Sequence, residues 1–483
     1  MIKNNSDYIG KEEGINFVIF GATGDLVQNK IIPALFDLYC NNLLPENFVI
    51  NGFSRKPLSD DEYRNFIEGI LLKMENNQPI LKKAVKLFLN SIHYFQGDLS
   101  NPESYLQLNE FLVSQEKEDN SCLNKIFYLA TPPELYEDIF VNLSKSKLIK
   151  KCGTKKALKN WSRVLVEKPF GSDLEGAIKL DKLIAKLFQE NQIFRIDHYL
   201  AKEVIQNIIA FRFSNSIFKP IWNNQHVEKI EINLFEKSDV NNRIHFYDKI
   251  GTLRDVGQNH ILQMLALMVM DDPHSLQPEN IHRSRKNILS KLKPFSRKVN
   301  EYASRAQYNG YKNETGVEKE SETDTFFELK LMINDPKWKN VPVYLRSGKA
   351  LSDDLVNLKI TFKPIESCVF SGKTSIAYCN EIDIQVKPEE KILVKFWSKK
   401  RGLDYSLEAQ NLFFNYGEEN QIFKNPYQKI LFDCIAGDQT LFNTSEEIMV
   451  QWQLITKIQK AWIDVPLTIY EKGSKPDELF RLK

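Results

Sequence analysis

Residues 15–20, INFVIF, form a short apolar run, the pattern of a parallel strand buried on both faces. The chain turns at once through GATGDL, 21–26, into IIPALFDLY, 31–39, whose apolar positions suit a helix packed on that strand's sheet. NFVINGFSR (47–55), KIFYLATPP (125–133), WSRVLVEKPFG (161–171) and NQIFRIDHYL (191–200) repeat the strand pattern, with a helix predicted from Glu134. After about residue 200 the pattern changes to long alternating segments: HVEKIEINLFEK (226–237), FFELKLMIND (326–335), VPVYLRSG (341–348), LVNLKITFKPI (355–365), EIDIQVKP (381–388) and KILVKFWSKK (391–400). Turn signals such as NDPKWKN and KPEEK separate them, as in an antiparallel meander. The reading is an α/β chain: an N-terminal Rossmann-like domain with a doubly wound parallel sheet over 1–200, and a C-terminal α+β domain with one large antiparallel sheet over 201–483, the active site lying between them. Residues 251–270 read as an α-helix with Val256, Met264 and Leu267 on the face of His260, and the polar stretch 296–324 as the mobile segment.

Composition narrows the class. At 483 residues the chain is long enough for two cores, and 65 basic against 63 acidic residues leave no charge excess to recruit nucleic acid. No stretch approaches the roughly 18 apolar residues of a membrane span, and the N-terminal MIKNNSDYIGKEEG has no apolar signal core, so a cytoplasmic protein is expected. Cys40, Cys122, Cys152, Cys368, Cys379 and Cys434 are dispersed, without metal-ligand spacing, and read as reduced thiols; no metal is expected.

Strand, glycine turn and helix in that order place backbone N–H groups at a helix N-terminus, where the peptide dipoles favour a pyrophosphate. Gly21, Ala22, Thr23, Gly24, Asp25 and Leu26 are therefore the candidate dinucleotide turn. NAD-selective domains end the second strand on an acid that holds the ribose 2′-hydroxyl; this one carries Arg55 and Lys56, which suit a 2′-phosphate and predict NADP. Lys168 and the cluster RIDHYL, 195–200, fall at strand C-terminal ends, the edge where open parallel sheets bind ligands. In GTLRDVGQNHILQML, 251–265, His260 is a candidate base; a carboxylate would fix its tautomer and stabilise the imidazolium, and Asp197 is the candidate carboxylate.

GATGDL, EKPFG, RIDHYLAKE and LRDVGQNHILQML, in this order and at these separations, resemble the glucose-6-phosphate dehydrogenases. The resemblance implies oxidation of β-D-glucose 6-phosphate at C1 with hydride transfer to NADP, His260 serving as general base and Asp197 as its orienting carboxylate. It further implies that His198, Tyr199 and Lys202 hold the phosphate, that Glu236, Asp255 and Lys349 bind the sugar phosphate, and that Lys168 lies near both sugar and nicotinamide. Tyr136 and Arg346 fall at positions associated with the coenzyme, Pro169 matches a proline that is often cis, and a homodimer or homotetramer joined through the large sheet is implied. Arg195 and Glu203 take no role from the resemblance and read as solvated charges.

Several positions depart from the family pattern. Ala201 replaces a glycine, Asp354 stands where a second basic residue is common, Lys387 occupies a usual glutamine position, and VQNK leaves Lys30 as the one cation after the glycine turn. These altered charges motivate a rival reading, a non-catalytic sensor that binds NADP and a sugar phosphate.

Overall fold

The computed structural model describes residues 14–74, 79–118, 123–149, 160–240, 244–365, 378–403, 405–416, 423 and 425–482. Most of the N-terminal stretch and Cys122, Cys152 and Cys368 lie outside these; Cys40, Cys379 and Cys434 are free thiols. No helix of the described residues is long and apolar enough to cross a membrane. Contacts divide the chain into two compact units. One holds residues up to Gly171, Glu175–Ala201 and Ile422–Ser445; the other holds Ser172–Leu174, Lys202–Gln421 and Glu446–Lys483. A single cut at residue 200 therefore needs amending, because a late segment returns to the N-terminal unit.

In the N-terminal unit, β1 (Ile15–Phe20), β2 (Phe48–Ser54), β3 (Ile92–Gln96), β4 (Asn124–Leu129), β5 (Ser162–Val166) and β6 (Ile193–Arg195) form a parallel sheet in the order β3-β2-β1-β4-β5-β6. Every residue of β1 and β4 is buried, which is what their apolar runs require. The strand order reverses between β1 and β4, the kind of switch point beyond whose strand C-terminal ends open α/β sheets bind ligands. The helix Pro426–Ala436, supplied by the late segment, packs Ile430, Leu431 and Cys434 into the same core as Ile19 and Phe194. Its last carbonyls, those of Cys434 and Ile435, accept hydrogen bonds from Arg163 at 2.6 and 2.7 Å.

The C-terminal unit is built on β7 (Val227–Phe235), β8 (Leu292–Pro294), β9 (Ala303–Tyr308), β10 (Phe326–Ile333), β11 (Val343–Gly348), β12 (Leu355–Phe362), β13 (Glu381–Lys387), β14 (Lys391–Lys399), β15 (Leu407–Asn415) and β16 (Leu467–Tyr470). Their main path runs β15-β14-β13-β12-β7-β11-β10-β9-β16, with β8 beside β10. The expected large sheet is present and mostly antiparallel, with two parallel pairings: β7 pairs β11 and β9 pairs β16 in parallel, because long crossovers rather than hairpins join these pairs. The segment 296–324 is likewise not a loop throughout. It contributes β9, whose Ala306, Gln307 and Tyr308 are buried between β10 and β16.

Residues 251–270 are helical, but Leu253–Ile261 follow an i→i+5 ladder before the α-helix Leu262–Val269 begins. The helix is buried on all sides, so a single apolar face around His260 is also corrected. Its C-terminal carbonyls are satisfied by side chains: Arg212 donates to Leu267 and Met270 at 2.6 and 2.7 Å, Trp222 to Met268 at 2.7 Å, and Trp338 to Val269 at 2.9 Å. Burial pulls the Arg212 guanidinium down to about 9, against the pull of Asp271 and Asp272.

Candidate functional site

The glycine turn of the N-terminal unit is clamped from two sides. The N–H groups of Gly21 and Ala22 donate to the Phe53 carbonyl at 3.0 and 3.2 Å, and Ala130 N donates to Phe20 O at 3.1 Å. Gly21 sits at φ 79°, and a Cβ there would lie 2.3 Å from the Ala130 carbonyl oxygen, so both conformation and space require glycine. Gly24 N returns to Gly21 O at 2.9 Å, after which helical pairing starts with Gln28 N on Gly24 O. Thr23 and Ser54 hydroxyls stand 3.5 Å apart, Ala22 is buried under Tyr63, whose hydroxyl donates to its carbonyl at 3.3 Å, Leu26 is partly buried, and Asp25 is exposed. A turn that requires glycine, followed at once by a helix N-terminus, fits a pyrophosphate. Ser54, not an acid, closes β2, and the Tyr94 hydroxyl donates to the Lys56 carbonyl at 2.6 Å, fixing the backbone from which exposed Arg55 and Lys56 project. Two cations and no carboxylate at this position fit a 2′-phosphate.

At the C-terminal end of β5 the Lys168–Pro169 peptide is cis. Tyr136, expected near the coenzyme, is buried with its hydroxyl donating to the Glu167 carbonyl at 2.9 Å, so it anchors the backbone just before Lys168. Burial, and then Glu167, push its phenol well above the usual range.

RIDHYL resolves into separate jobs. Arg195 is not solvated: it is buried and forked on Glu190 at 2.5 and 3.1 Å, while its carbonyl accepts Asn443 N at 3.0 Å. Asp197, 2% exposed, takes the Tyr199 N–H on Oδ1 at 3.0 Å, an Asx turn that carries the chain around the strand end. His198 is half-buried, its ring 4.8 Å from that of Tyr199 and 6.4 Å from that of Tyr427, nearly parallel to the latter at 16°. Tyr427 lies more than two hundred positions downstream, and no local pattern signals it.

The remaining candidates belong to the C-terminal unit. Lys202 precedes the helix Glu203–Phe213 and donates to Glu390 Oε1 at 3.1 Å; the other oxygen of Glu390 accepts Val204 N at 3.2 Å. Glu390 follows the second cis peptide, Lys387–Pro388, so this hairpin turn brings the neighbourhood of Lys387 to that of Lys202. Ala201 lies outside the left-handed region, and replacing glycine there carries no strain.

The parallel pairing of β7 and β11 sets Phe235 opposite Gly348, and the residues just beyond, Glu236 and Lys349, pair at 2.5 Å. The turn holding Lys349 passes through Ala350 at φ 53°, a left-handed conformation that alanine adopts at a cost. It is held by Ala350 N on Ser238 O, Leu351 N on Glu236 O and the Tyr470 hydroxyl on Lys349 O, at 2.9, 3.0 and 2.6 Å. Asp354 accepts Lys237 N at 3.0 Å and so has a local structural task. Asp255 and His260, 6% and 1% exposed, occupy positions i and i+5 of the i→i+5 segment. That ladder draws them toward one side, where in an α-helix five residues would turn them roughly 140° apart. Asn259 donates its side-chain N–H to Asp255 O at 3.0 Å and accepts His260 N at 2.6 Å.

Arg346 does not project toward a ligand from an open strand end. It is buried in the sheet between Glu231 and Glu328, at 2.8 and 2.9 Å, with Phe480 stacked on its guanidinium.

Comparison with known proteins places this geometry. A family model described as the glucose-6-phosphate dehydrogenase NAD binding domain matches residues 18–207, and one described as the glucose-6-phosphate dehydrogenase C-terminal domain matches residues 209–482. A glucose-6-phosphate 1-dehydrogenase of Borreliella burgdorferi is 37% identical over 477 residues, covering 96% of this chain and 95% of its own length. The corresponding protein of Bacillus subtilis is 35% identical over 92% of this chain and 91% of its own. A solved glucose-6-phosphate dehydrogenase in complex with its substrate glucose-6-phosphate superposes with a TM-score of 0.87 at 31% identity, covering 97% of this chain and 96% of that one. With both halves matched nearly end to end and the motif residues in place in each, the chain belongs to the glucose-6-phosphate dehydrogenase family.

Proposed function

We infer that the chain oxidises β-D-glucose 6-phosphate at C1 to 6-phosphoglucono-1,5-lactone, with NADP as hydride acceptor. The observation that carries this reading is the Lys349–Glu236 pair just beyond the paired ends of β7 and β11, a cation and a carboxylate held at 2.5 Å beside the left-handed turn at Ala350. His198, Tyr199 and Lys202 supply donors for the phosphate dianion, cationic ones contributing most. Glu236 and Asp255 accept from sugar hydroxyls, and Lys349 binds beside them. Binding energy collected at the phosphate holds C1 in place for reaction.

An imidazole nitrogen of His260 takes the C1 hydroxyl proton while the C1–H bond breaks with its electron pair, leaving C1 doubly bonded to oxygen in the lactone. Asp197 orients that imidazole and stabilises its protonated form. NADP, when bound, receives the hydride; Gly21, Ala22, Thr23, Gly24, Asp25 and Leu26 hold its pyrophosphate, Arg55 its 2′-phosphate, and Lys168 lies at the nicotinamide end. Tyr136 serves the coenzyme indirectly, through the backbone before Lys168.

A cytoplasmic location and a homodimer complete the reading. The first is supported by Arabidopsis thaliana relatives named cytoplasmic, one 35% identical over 95% of this chain. The second is supported by apolar side chains left exposed on β14 and β15, Phe396 at 41%, Leu412 at 64% and Phe414 at 60%. Mixing the purified protein with glucose 6-phosphate and NADP should raise absorbance at the reduced nicotinamide band. Tight binding of both ligands with a rate no greater than that of a His260→Ala control would overturn the catalytic reading in favour of a sensor.

A further inference from the structure

Glu167 stands in the EKPFG stretch, immediately before Lys168, and no role in the proposed reaction uses it. Three tyrosines from three separate stretches converge on it. The Tyr128 hydroxyl, from β4, donates to Glu167 Oε1 at 2.6 Å, and the Tyr136 hydroxyl donates to the Glu167 carbonyl oxygen at 2.9 Å. The Tyr427 phenol, from the helix Pro426–Ala436, faces the same carboxylate, each group acting on the other's ionisation. The ring of Tyr427 in turn lies nearly parallel to the His198 imidazole, at 6.4 Å and 16°.

We propose that Glu167 is a positioning residue for the sugar-phosphate site, tying the strand end that presents Lys168 to the imidazole plane of His198 through Tyr427. The proposal rests on the reading of His198 as a phosphate donor. In this proposal both phenols donate to the one carboxylate, and such charge-assisted hydrogen bonds are roughly twice as strong as neutral ones. An amide in its place offers a single acceptor oxygen to both hydroxyls. With its hydroxyl fixed, the Tyr427 ring cannot slide along the imidazole, so His198 keeps the orientation in which its N–H meets a phosphate oxygen. Burial raises the Glu167 carboxyl and the phenol donors lower it, while Asp197 is close enough to oppose its ionisation.

A merely structural role for these groups would cost stability and leave phosphate recognition unchanged in the folded protein. Tyr427→Phe keeps the ring and its packing and loses only the hydroxyl; Glu167→Gln keeps the shape and loses the charge. In each folded variant KM for glucose 6-phosphate should rise about tenfold, the worth of one charge-assisted hydrogen bond, with KM for NADP and the residual rate on unphosphorylated glucose within about twofold. The double variant should be no worse than the single ones, because both break one link. The His198 imidazole resonance in NMR spectra, assigned by its loss in His198→Gln, should shift in both variants, a readout that needs no turnover. Unchanged KM for glucose 6-phosphate, additive losses, or an unmoved His198 resonance would each overturn the proposal. A wild-type protein inactive on glucose 6-phosphate would instead overturn the functional reading, and the resonance alone would then decide for or against the network.

Discussion

At the scale of single residues, the coenzyme cradle makes two demands that can be separated. Arg55 is exposed on a backbone fixed by Tyr94, and in the proposed reading it would supply a bidentate donor for a 2′-phosphate that NAD lacks. Arg55→Ala should lower kcat/KM for NADP by roughly tenfold or more, from the loss of a charge-assisted contact, and that for NAD by less than about twofold. Initial rates with both coenzymes check this, and equal losses would discredit the 2′-phosphate assignment. Gly21→Ala acts through the backbone: a left-handed conformation costs an alanine about 1–2 kcal/mol, and its Cβ would meet the Ala130 carbonyl at 2.3 Å. The variant should lose coenzyme affinity for NADP and NAD alike and melt at a lower temperature, which coenzyme titration and thermal unfolding would show. The turn at Gly21 and the cation at Arg55 could be read from the sequence because each is local, a turn after one strand and a cation after the next, and their coenzyme roles are what these variants test. Arg346 and Tyr136 were not legible in this way. The carboxylates around Arg346 come from β7 and β10, and the acceptor of Tyr136 lies thirty-one positions away, so nothing adjacent in sequence distinguishes a buried pair from a ligand contact.

Secondary elements were readable where their period was uniform. β1 and β4 follow from apolar runs, and β7 and β10 to β14 from alternation, but β9 lies in a polar stretch because its neighbours β10 and β16 cover polar side chains such as Gln307, which donates to the Ser321 and Thr323 carbonyls at 3.2 and 2.9 Å. The i→i+5 segment that carries Asp255 and His260 was hidden for a different reason: its polar side chains are buried along with its apolar ones, and an α-helical reading of the sequence does not show where the hydrogen-bond ladder lengthens by one residue. Its start is fixed by Asp324, whose Oδ2 accepts Leu253 N at 3.0 Å and whose carbonyl accepts Thr252 N at 3.0 Å. Burial raises the Asp324 carboxyl from 3.8 to about 6, against the Leu253 N–H, Arg254 and Arg305, which favour the charged form. The folded protein therefore holds this proton more tightly than the unfolded chain, and raising the pH from about 4 through about 6 costs stability. Asp324→Asn keeps an oxygen for the Leu253 N–H and cannot titrate. Relative to that variant, the wild type should lose about 3 kcal/mol across this interval and nothing further above it. Urea unfolding at a series of pH values measures the gap, and a gap that stays constant from pH 4 to 7 would remove Asp324 as its source.

For the molecule as a whole, the open question is what covers the end of the large sheet. β15 is an edge strand, and its register with β14 places Gln410 opposite Phe396, Leu412 opposite Val394 and Phe414 opposite Ile392, so Phe396, Leu412 and Phe414 share one face. An exposed edge strand with an apolar face invites association, and natural edges are usually blunted by charge or proline; among residues 407–415 the one charged side chain is Glu408. In the proposed homodimer a second copy of the chain would satisfy this face by two-fold symmetry, each protomer burying the same residues. Phe414→Asp then removes two buried phenylalanines from one interface, worth about 3–6 kcal/mol in total, and also places two carboxylates where apolar groups met. The dissociation constant should rise at least about a hundredfold. Sedimentation velocity at micromolar concentration should show a dimer for the wild type and a monomer for Phe414→Asp, whereas a charge placed on the opposite face, Phe413→Asp, should disturb association less. If the wild type sediments as a monomer, or if both variants remain dimeric, the β14–β15 face is not where the copies meet.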